Sequence, residues 1–275
     1  MKFTDYLLAT ASLAGSVLAA PHSGLAERIT ARRAMSRQSH PLVPVAGDTS
    51  SEERLSGASA SNVTYSSNWA GAVREQPPPN GQYTAVTATF QVPAPTAQAA
   101  QPSGTQAGSA WVGIDGDTYS TAILQTGIDF YLENGQTYND AWFEWYPDYA
   151  YDFDITINTG DTIVAKVEAL SSSVGVATIE NLSTGKKATQ TVSAPAATAT
   201  LGGQNADWIV EDFQSGDQLV SLANFNEVTF WGAQAEGAGS TWGVQDASIV
   251  ELKQNNKVLT EVDVKSNSEF TVTYV

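Results

Sequence analysis

Beyond about Tyr65 the chain reads as a series of short runs in which apolar and polar positions alternate. SSNWAGAV, YTAVTATFQV, SAWVGID, TAILQTGIDF, DAWFEWY, ITIN, TIVAKVEAL, VGVATIEN, KATQTVSA, WIVEDF, NEVTFWGAQ, ASIVELK, KVLTEV and FTVTYV are rich in Val, Ile, Thr and aromatic residues, with clusters of Gly, Asn, Asp and Pro between them. A period of two broken by turn residues is the pattern of strands, and no helical period persists. Many short strands at this spacing predict an all-β protein, a sandwich or jelly roll. NLSTGK (181–186) and KQNNK (253–257) predict hairpin turns. PPPNG (77–81) and residues 93–108, rich in Pro, Ala, Gln and Ser, predict loops.

Alternation also assigns side chains to faces. In AILQTGIDF, Leu124, Ile128 and Phe130 make an apolar face, and Ile123, Gln125, Gly127 and Asp129 take the other. Trp111, Gly113 and Asp115 lie opposite Val112 and Ile114. Trp142, Glu144 and Tyr146 lie opposite Phe143 and Trp145, and Ile209, Glu211 and Phe213 share one face. Several strands therefore set a polar group beside a Trp or Tyr, with an apolar face behind. A concave sheet lined in this way makes a substrate cleft. Gln125 raises the sharpest question, because an amide with two donors and two acceptor lone pairs is costly to bury unless they are used.

The first 60 residues have a different character. Lys2 precedes an apolar run, Tyr6 to Ala20, that ends in small residues. It is too short to span a bilayer comfortably and reads as a secretory signal cleaved after Ala19 or Ala20. Residues 21–60 are rich in Arg, Ser, Pro and Ala and show no strand pattern. Within 21–47, Arg28, Arg32, Arg33 and Arg37 stand against Glu27 alone, and both histidines, His22 and His40, lie there too. The expected organisation is a signal peptide (1–20), a removable basic pro-segment (21–60) and one large domain (61–275), secreted to the cell exterior.

Charge and composition narrow the partners. From Ser61 onward, seven basic residues face 24 acidic ones, a net charge of −17. Such a surface argues against nucleic acid and anionic membrane. It repels itself at neutral pH and relaxes in acid. The chain has no cysteine, so it must rely on the core that a domain of this size can bury. Asn62 (NVT) and Asn181 (NLS) are glycosylation sequons, in keeping with secretion.

The residues that are missing restrict the chemistry. Without the pro-segment there is no His and no Cys, which excludes a Ser-His-Asp triad, a Cys-His dyad and ordinary zinc sites. No metal and no cofactor is expected. The DTG or DSG pairs of pepsin-like enzymes are absent too. Hydrolysis would rest on carboxylates, amides, hydroxyls or a Ser/Lys pair. Two other readings stay open at this point: a jelly-roll glycosidase using two carboxylates such as Glu144 and Glu211, and a lectin-like carbohydrate-binding module on the same architecture. Asp115-Gly116-Asp117 reads as a tight turn in preference to a fragment of a calcium loop.

SNWAGAV (67–73), AWVGIDGD (110–117), TAILQTGIDF (121–130), DAWFEWYP (140–147) and IVEDF (209–213) together resemble the glutamic peptidases, the eqolisin family, and the likeness runs from about Asn68 to Val275. It implies a secreted, acid-acting endopeptidase, insensitive to pepstatin, on a sandwich of two curved antiparallel sheets resembling concanavalin A. It also implies polypeptide substrates, and a monomer is expected; the charge contrast between 21–47 and the domain implies that the pro-segment docks on the acidic surface at neutral pH as an intramolecular inhibitor. By motif the catalytic pair falls on Gln125 of ILQTG and Glu211 of VEDF. Supporting roles fall on Trp111 and Asp115 of WVGID, on Asp140, Trp142 and Glu144 of DAWFEW, and on Trp69 of SNWAG in the cleft. In that scheme Glu211, with an ordinary Glu pKa near ~4.3, serves as base and then acid. The Gln125 amide orients water and donates to the oxyanion. The absence of cysteine departs from members that carry disulfides.

Overall fold

The computed structural model describes residues 37–45, 52–54, 61–98 and 104–275, and for 52–54, 61 and 62 the backbone alone. The expected signal peptide, most of the basic segment and the Asn62 side chain lie outside that description. The described residues form strands and turns without a helix.

Two large sheets pack face to face. The first runs, in spatial order, Glu52–Arg54, Ser61–Ser66, Ser248–Gln254, Trp69–Arg74, Ala206–Glu211, Thr105–Ile114, Ile123–Glu133, Gln136–Tyr146 and Tyr151–Asp152. The second runs Lys186–Ser193, Val174–Asn181, Thr162–Ser171, Tyr83–Gln91, Glu227–Gly237, Glu269–Tyr274 and Thr260–Ser266. Nearly all pairs are antiparallel, an exception being Ser248–Gln254 on Ser61–Ser66. The expected β-sandwich is what forms.

The apolar faces meet as the alternation predicts. Val112, Ile114, Leu124, Ile128, Phe130, Phe143, Trp145, Trp208 and Val210 of the first sheet bury against Val86, Phe90, Ile163, Val167, Ile179, Phe230, Phe270 and Val272 of the second. Burying each large apolar side chain is worth roughly 1.5–3 kcal/mol. This core stabilises the fold without disulfides. The opposite face of the first sheet carries a separate cluster of Trp69, Val73, Trp111, Ile123, Trp142, Ala150, Ile209 and Val250, which floors the cleft.

Register matters because a slip of one residue would turn Gln125 into the core. Asn134-Gly135 fixes it, with both residues at positive φ (51° and 77°) in a two-residue turn between Ile123–Glu133 and Gln136–Tyr146. That dipeptide is a strong hairpin signal. The two expected turns also form: Asn181 pairs with Lys186 across 182–185, and Gln254 with Lys257 across Asn255-Asn256.

Some details differ from the sequence reading. Residues 155–158 (ITIN) are not a strand, since Ile157 makes only an isolated bridge to Asn139. Its side chain is nonetheless buried, so the apolar pattern reported burial and not pairing. Strand Thr105–Ile114 begins inside the stretch expected as loop. The segment expected to lack strands contains two. Arg37–Gln38 pairs with Gln214–Ser215, and Glu52–Arg54 pairs with Ser61–Ser66. Both arise by adding a few residues to an existing edge, and two or three residues are too few to show a period.

Candidate active site

Strand Ile123–Glu133 sets Gln125 opposite Gly113 on one side and Glu144 on the other. Glu211 ends strand Ala206–Glu211, opposite Ser109 and Trp69. Gln125 and Glu211 thus lie on one face, separated by strand Thr105–Ile114, whose Trp111 fills the space between them. The Trp111 indole Nε1 donates to Glu211 Oε2 at 2.8 Å. Trp69 meets the Trp111 ring edge-on, with centroids 4.9 Å apart. Gly113 is required by this crowding, because a Cβ there would stand 2.8 Å from the Trp111 ring and 3.3 Å from Gln125 Cβ.

Gln125 is fully buried, and neither its Nε2 nor its Oε1 has a partner among the described residues. Buried polar atoms are otherwise nearly always bonded. Trp142 Nε1 and Glu144 Oε1, on the neighbouring strand, are left in the same way among the described residues.

Beside this pair lies a buried cation. Arg37 is 1% exposed. Its guanidinium forks onto Asp129, with Nε to Oδ2 at 2.8 Å and Nη2 to Oδ1 at 2.7 Å. Nη1 reaches Glu144 Oε2 at 3.0 Å and Nη2 reaches Ser109 Oγ at 3.3 Å. The same group stacks 4.1 Å from Trp142 and 4.7 Å from Phe213. Asp140 pairs in register with Asp129 at the rim of this well.

Residues 38–45 continue from Arg37 across the cleft. The main-chain N–H of Ser39 donates to Glu144 Oε2 at 3.2 Å, and that of His40 to Glu211 Oε1 at 3.1 Å. The Ser39–His40 peptide therefore lies on the Glu211 carboxyl. Burial pushes Glu211 up to about 7, against the opposing pull of Arg37 and of hydrogen bonds from Ser39, His40 and Trp111. The ordinary Glu value expected from sequence does not hold in this covered cleft, because water is excluded. Burial likewise raises Glu144, whose partner Arg37 is engaged bidentately by Asp129. His40 is lowered, by burial and by the nearby Arg37 charge.

Other sequence candidates have structural places. Asp115, at φ 67°, is buried away from the pair, and its carboxylate accepts the N–H groups of Gly202, Gly203, Gln204 and Asn205. It clamps the loop that feeds the Glu211 strand. The Asn181 side chain is fully buried and its Nδ2 donates to Asp161 Oδ2 at 2.7 Å. This conformation presents no free nitrogen to a glycan. Sequence reasoning gave Asp129 its face but no role. It passed over Ser39 and Ser109, for which no motif gave a signal, and gave no role to Asn68, although SNWAGAV contains it.

With this geometry in view, comparison with known proteins is informative. The model of the Peptidase A4 family matches residues 67–274. Aspergillopepsin-2 of Aspergillus niger is 47% identical and Scytalidopepsin B of Scytalidium lignicola 36% identical, each over the full length of both chains. The crystal structure of scytalido-glutamic peptidase with a transition state analog inhibitor superposes with a TM-score of 0.68 at 38% identity, covering 76% of this chain and 98% of that one. Aspergilloglutamic peptidase from Aspergillus niger superposes with a TM-score of 0.59 at 57% identity, covering 62% and 99%.

Proposed function

The chain belongs to the Peptidase A4, or eqolisin, family of glutamic peptidases, and on that premise we propose that it is a secreted acid endopeptidase working through Gln125 and Glu211. Membership removes the glycosidase and lectin readings. The observation that supports the residue assignment is the buried Gln125 amide, unpartnered among the described residues, on the same sheet face as Glu211 with Trp111 between them.

Glu211 takes a proton from water as the water oxygen attacks the substrate carbonyl carbon. Gln125 orients that water through Oε1, and Nε2–H donates to the oxyanion that forms. Glu211 then passes the proton to the departing amine, and the C–N bond breaks. One preorganised donor of this kind is worth roughly 3–4 kcal/mol of barrier. The amide keeps its form at any working pH. Trp111 Nε1 fixes the carboxyl. Glu211 must be ionised to begin, and opening the cleft supports this by readmitting water, since burial is the largest cause of its raised value.

In this reading residues 21–60 are a pro-segment that silences the enzyme. Residues 37–40 cover Glu211 and occupy Glu144 and Asp129, while no bond joins the described residues of the segment to the Gln125 amide. A chain held this way excludes water from the carboxyl without presenting a carbonyl to Gln125. Secretion by the signal at 1–20 and action as a monomer complete the proposal.

Digestion of an unfolded protein by the purified mature enzyme across pH 2–7 tests it, with pepstatin and a chelator present. Hydrolysis with a maximum in acid, unaffected by either compound, is expected. Loss of activity in chelator, restored by metal, or inhibition by pepstatin would overturn the mechanism.

A further inference from the structure

We infer that Asn68 and its neighbours form a docking strip that grips the substrate main chain over about four residues on the carboxyl side of the cleaved bond. The inference rests on the peptidase reading above and deepens it.

The pro-segment supplies the geometry. With the Ser39–His40 peptide on Glu211, His40 is the first residue beyond the position of cleavage. The His40 carbonyl accepts from Trp69 Nε1 at 3.0 Å and from Asn68 Nδ2 at 3.3 Å. The Pro41 carbonyl accepts from the same Nδ2 at 3.1 Å. Leu42 N–H donates to Gly116 O at 3.0 Å, and Val43 N–H to Asn68 Oδ1 at 2.9 Å. Ser67 N–H returns a bond to Val43 O at 2.9 Å, and Val45 N–H reaches Tyr65 O at 3.0 Å. Residues 43–45 thus lie antiparallel to 65–67, as the Pro44–Ser66 bridge records.

Each of these bonds is to the segment's backbone; the His40 ring also meets Tyr146 edge-on and Leu42 packs on the Trp69 cluster, while the Val43 and Pro44 side chains are exposed. Strand addition of this kind gives affinity through the main chain and leaves sequence choice elsewhere. Asn68 is built for the task. It is 2% exposed, and Ser66 Oγ pins its turn by accepting from the N–H groups of Asn68 and Trp69 while donating to Asn68 Oδ1. Its remaining amide bonds go to the docked segment. When the segment leaves, a buried amide is left needing donors and acceptors at the spacing of an extended chain. A polypeptide substrate supplies them.

The test uses mature enzyme and peptides with a single cleavable bond. Extending the peptide from two to four residues beyond that bond adds the contacts to Gly116, Asn68 and Ser67. It should raise kcat/KM about tenfold or more, through KM, at the usual worth of a net hydrogen bond. N-methylation of the third or fourth residue beyond the bond should cost about fivefold each in wild type. N-methylation of the fifth, where the segment has Pro44, should cost nothing. Asn68→Ala should abolish the penalty at the fourth residue while retaining that at the third. Should Asn68→Ala not fold, the wild-type methylation series alone decides. Equal turnover of short and long peptides, or a penalty at the fourth residue unchanged in Asn68→Ala, overturns the strip and leaves the peptidase reading intact. No hydrolysis of any peptide removes both.

Discussion

Arg37 shows how much one residue can control. It holds two carboxylates and two aromatic faces together while almost fully buried. Removing one partner of a buried pair commonly costs roughly 3–5 kcal/mol, because the other charge is left without compensation. Arg37→Met keeps the bulk and removes the charge. It should weaken docking of the segment by on the order of 10²–10³-fold. The pH acts in two directions here. His40 is lowered while docked, so its protonation below the usual value of about 6.5 favours release. Glu211 is raised while covered, so its protonation below about 7 favours the covered state. Glu144, which Arg37 holds, is raised in the same way, so its protonation also favours the covered state, and of these groups His40 is the one whose protonation favours release. The Arg37→Met proform should mature at a clearly higher pH than wild type. Maturation followed by N-terminal sequencing along a pH series checks this, and an unchanged profile removes Arg37 from the control.

Among the elements, strand Thr105–Ile114 sets the spacing of the site. Gly113 leaves room for the Trp111 ring beside Gln125, and a Cβ there would meet that ring at 2.8 Å. Gly113→Ala should cost about 1–3 kcal/mol of stability as overpacking and lower kcat by more than tenfold by displacing Trp111 from Glu211. Urea unfolding and steady-state kinetics on one preparation separate the two effects, and full activity would show that Trp111 does not set the pair. Alternation made this face legible in advance: Trp111, Gln125, Glu144 and Glu211 point to the cleft because a period of two leaves no choice once Leu124, Ile128 and Phe130 enter the core. Arg37 could be read from sequence only as one charge among several. Its insertion depends on a well assembled from Asp129, Glu144, Ser109 and Trp142, which lie on three different strands. The role of the Asn68 amide was not legible either, because its partners in the docked segment are backbone groups that carry no residue identity.

Across the molecule, several buried carboxyl groups among the described residues lack a cationic partner. Asp207 is fully buried with both oxygens unpartnered. It faces Asp115 and Asp117 across the turn, with Tyr83, whose hydroxyl accepts from Arg74 Nε, nearby. Burial raises Asp207 well above the usual range, Asp117 to about 6 and Asp212 to about 8. For an acid whose folded value is raised, the folded state keeps a proton that the unfolded chain releases. Stability is then greatest below about pH 4 and falls as pH rises toward about 8. Each such group contributes a slope of up to about 1.4 kcal/mol per pH unit, between the ordinary unfolded value and its own raised value. Asp207→Asn should flatten the decline measured by urea midpoint against pH. An equally steep profile in the variant would show that Asp207 is not among its causes.

The most direct measurement compares mature wild type, Gln125→Ala and Glu211→Gln on one unfolded substrate at acid pH, with urea unfolding of each to show that the fold is kept. The account predicts rapid hydrolysis by wild type and at least a 10²–10³-fold loss in each variant, the usual cost of removing a preorganised catalytic group, at unchanged stability. Substantial turnover by a folded Gln125→Ala or Glu211→Gln protein would contradict it.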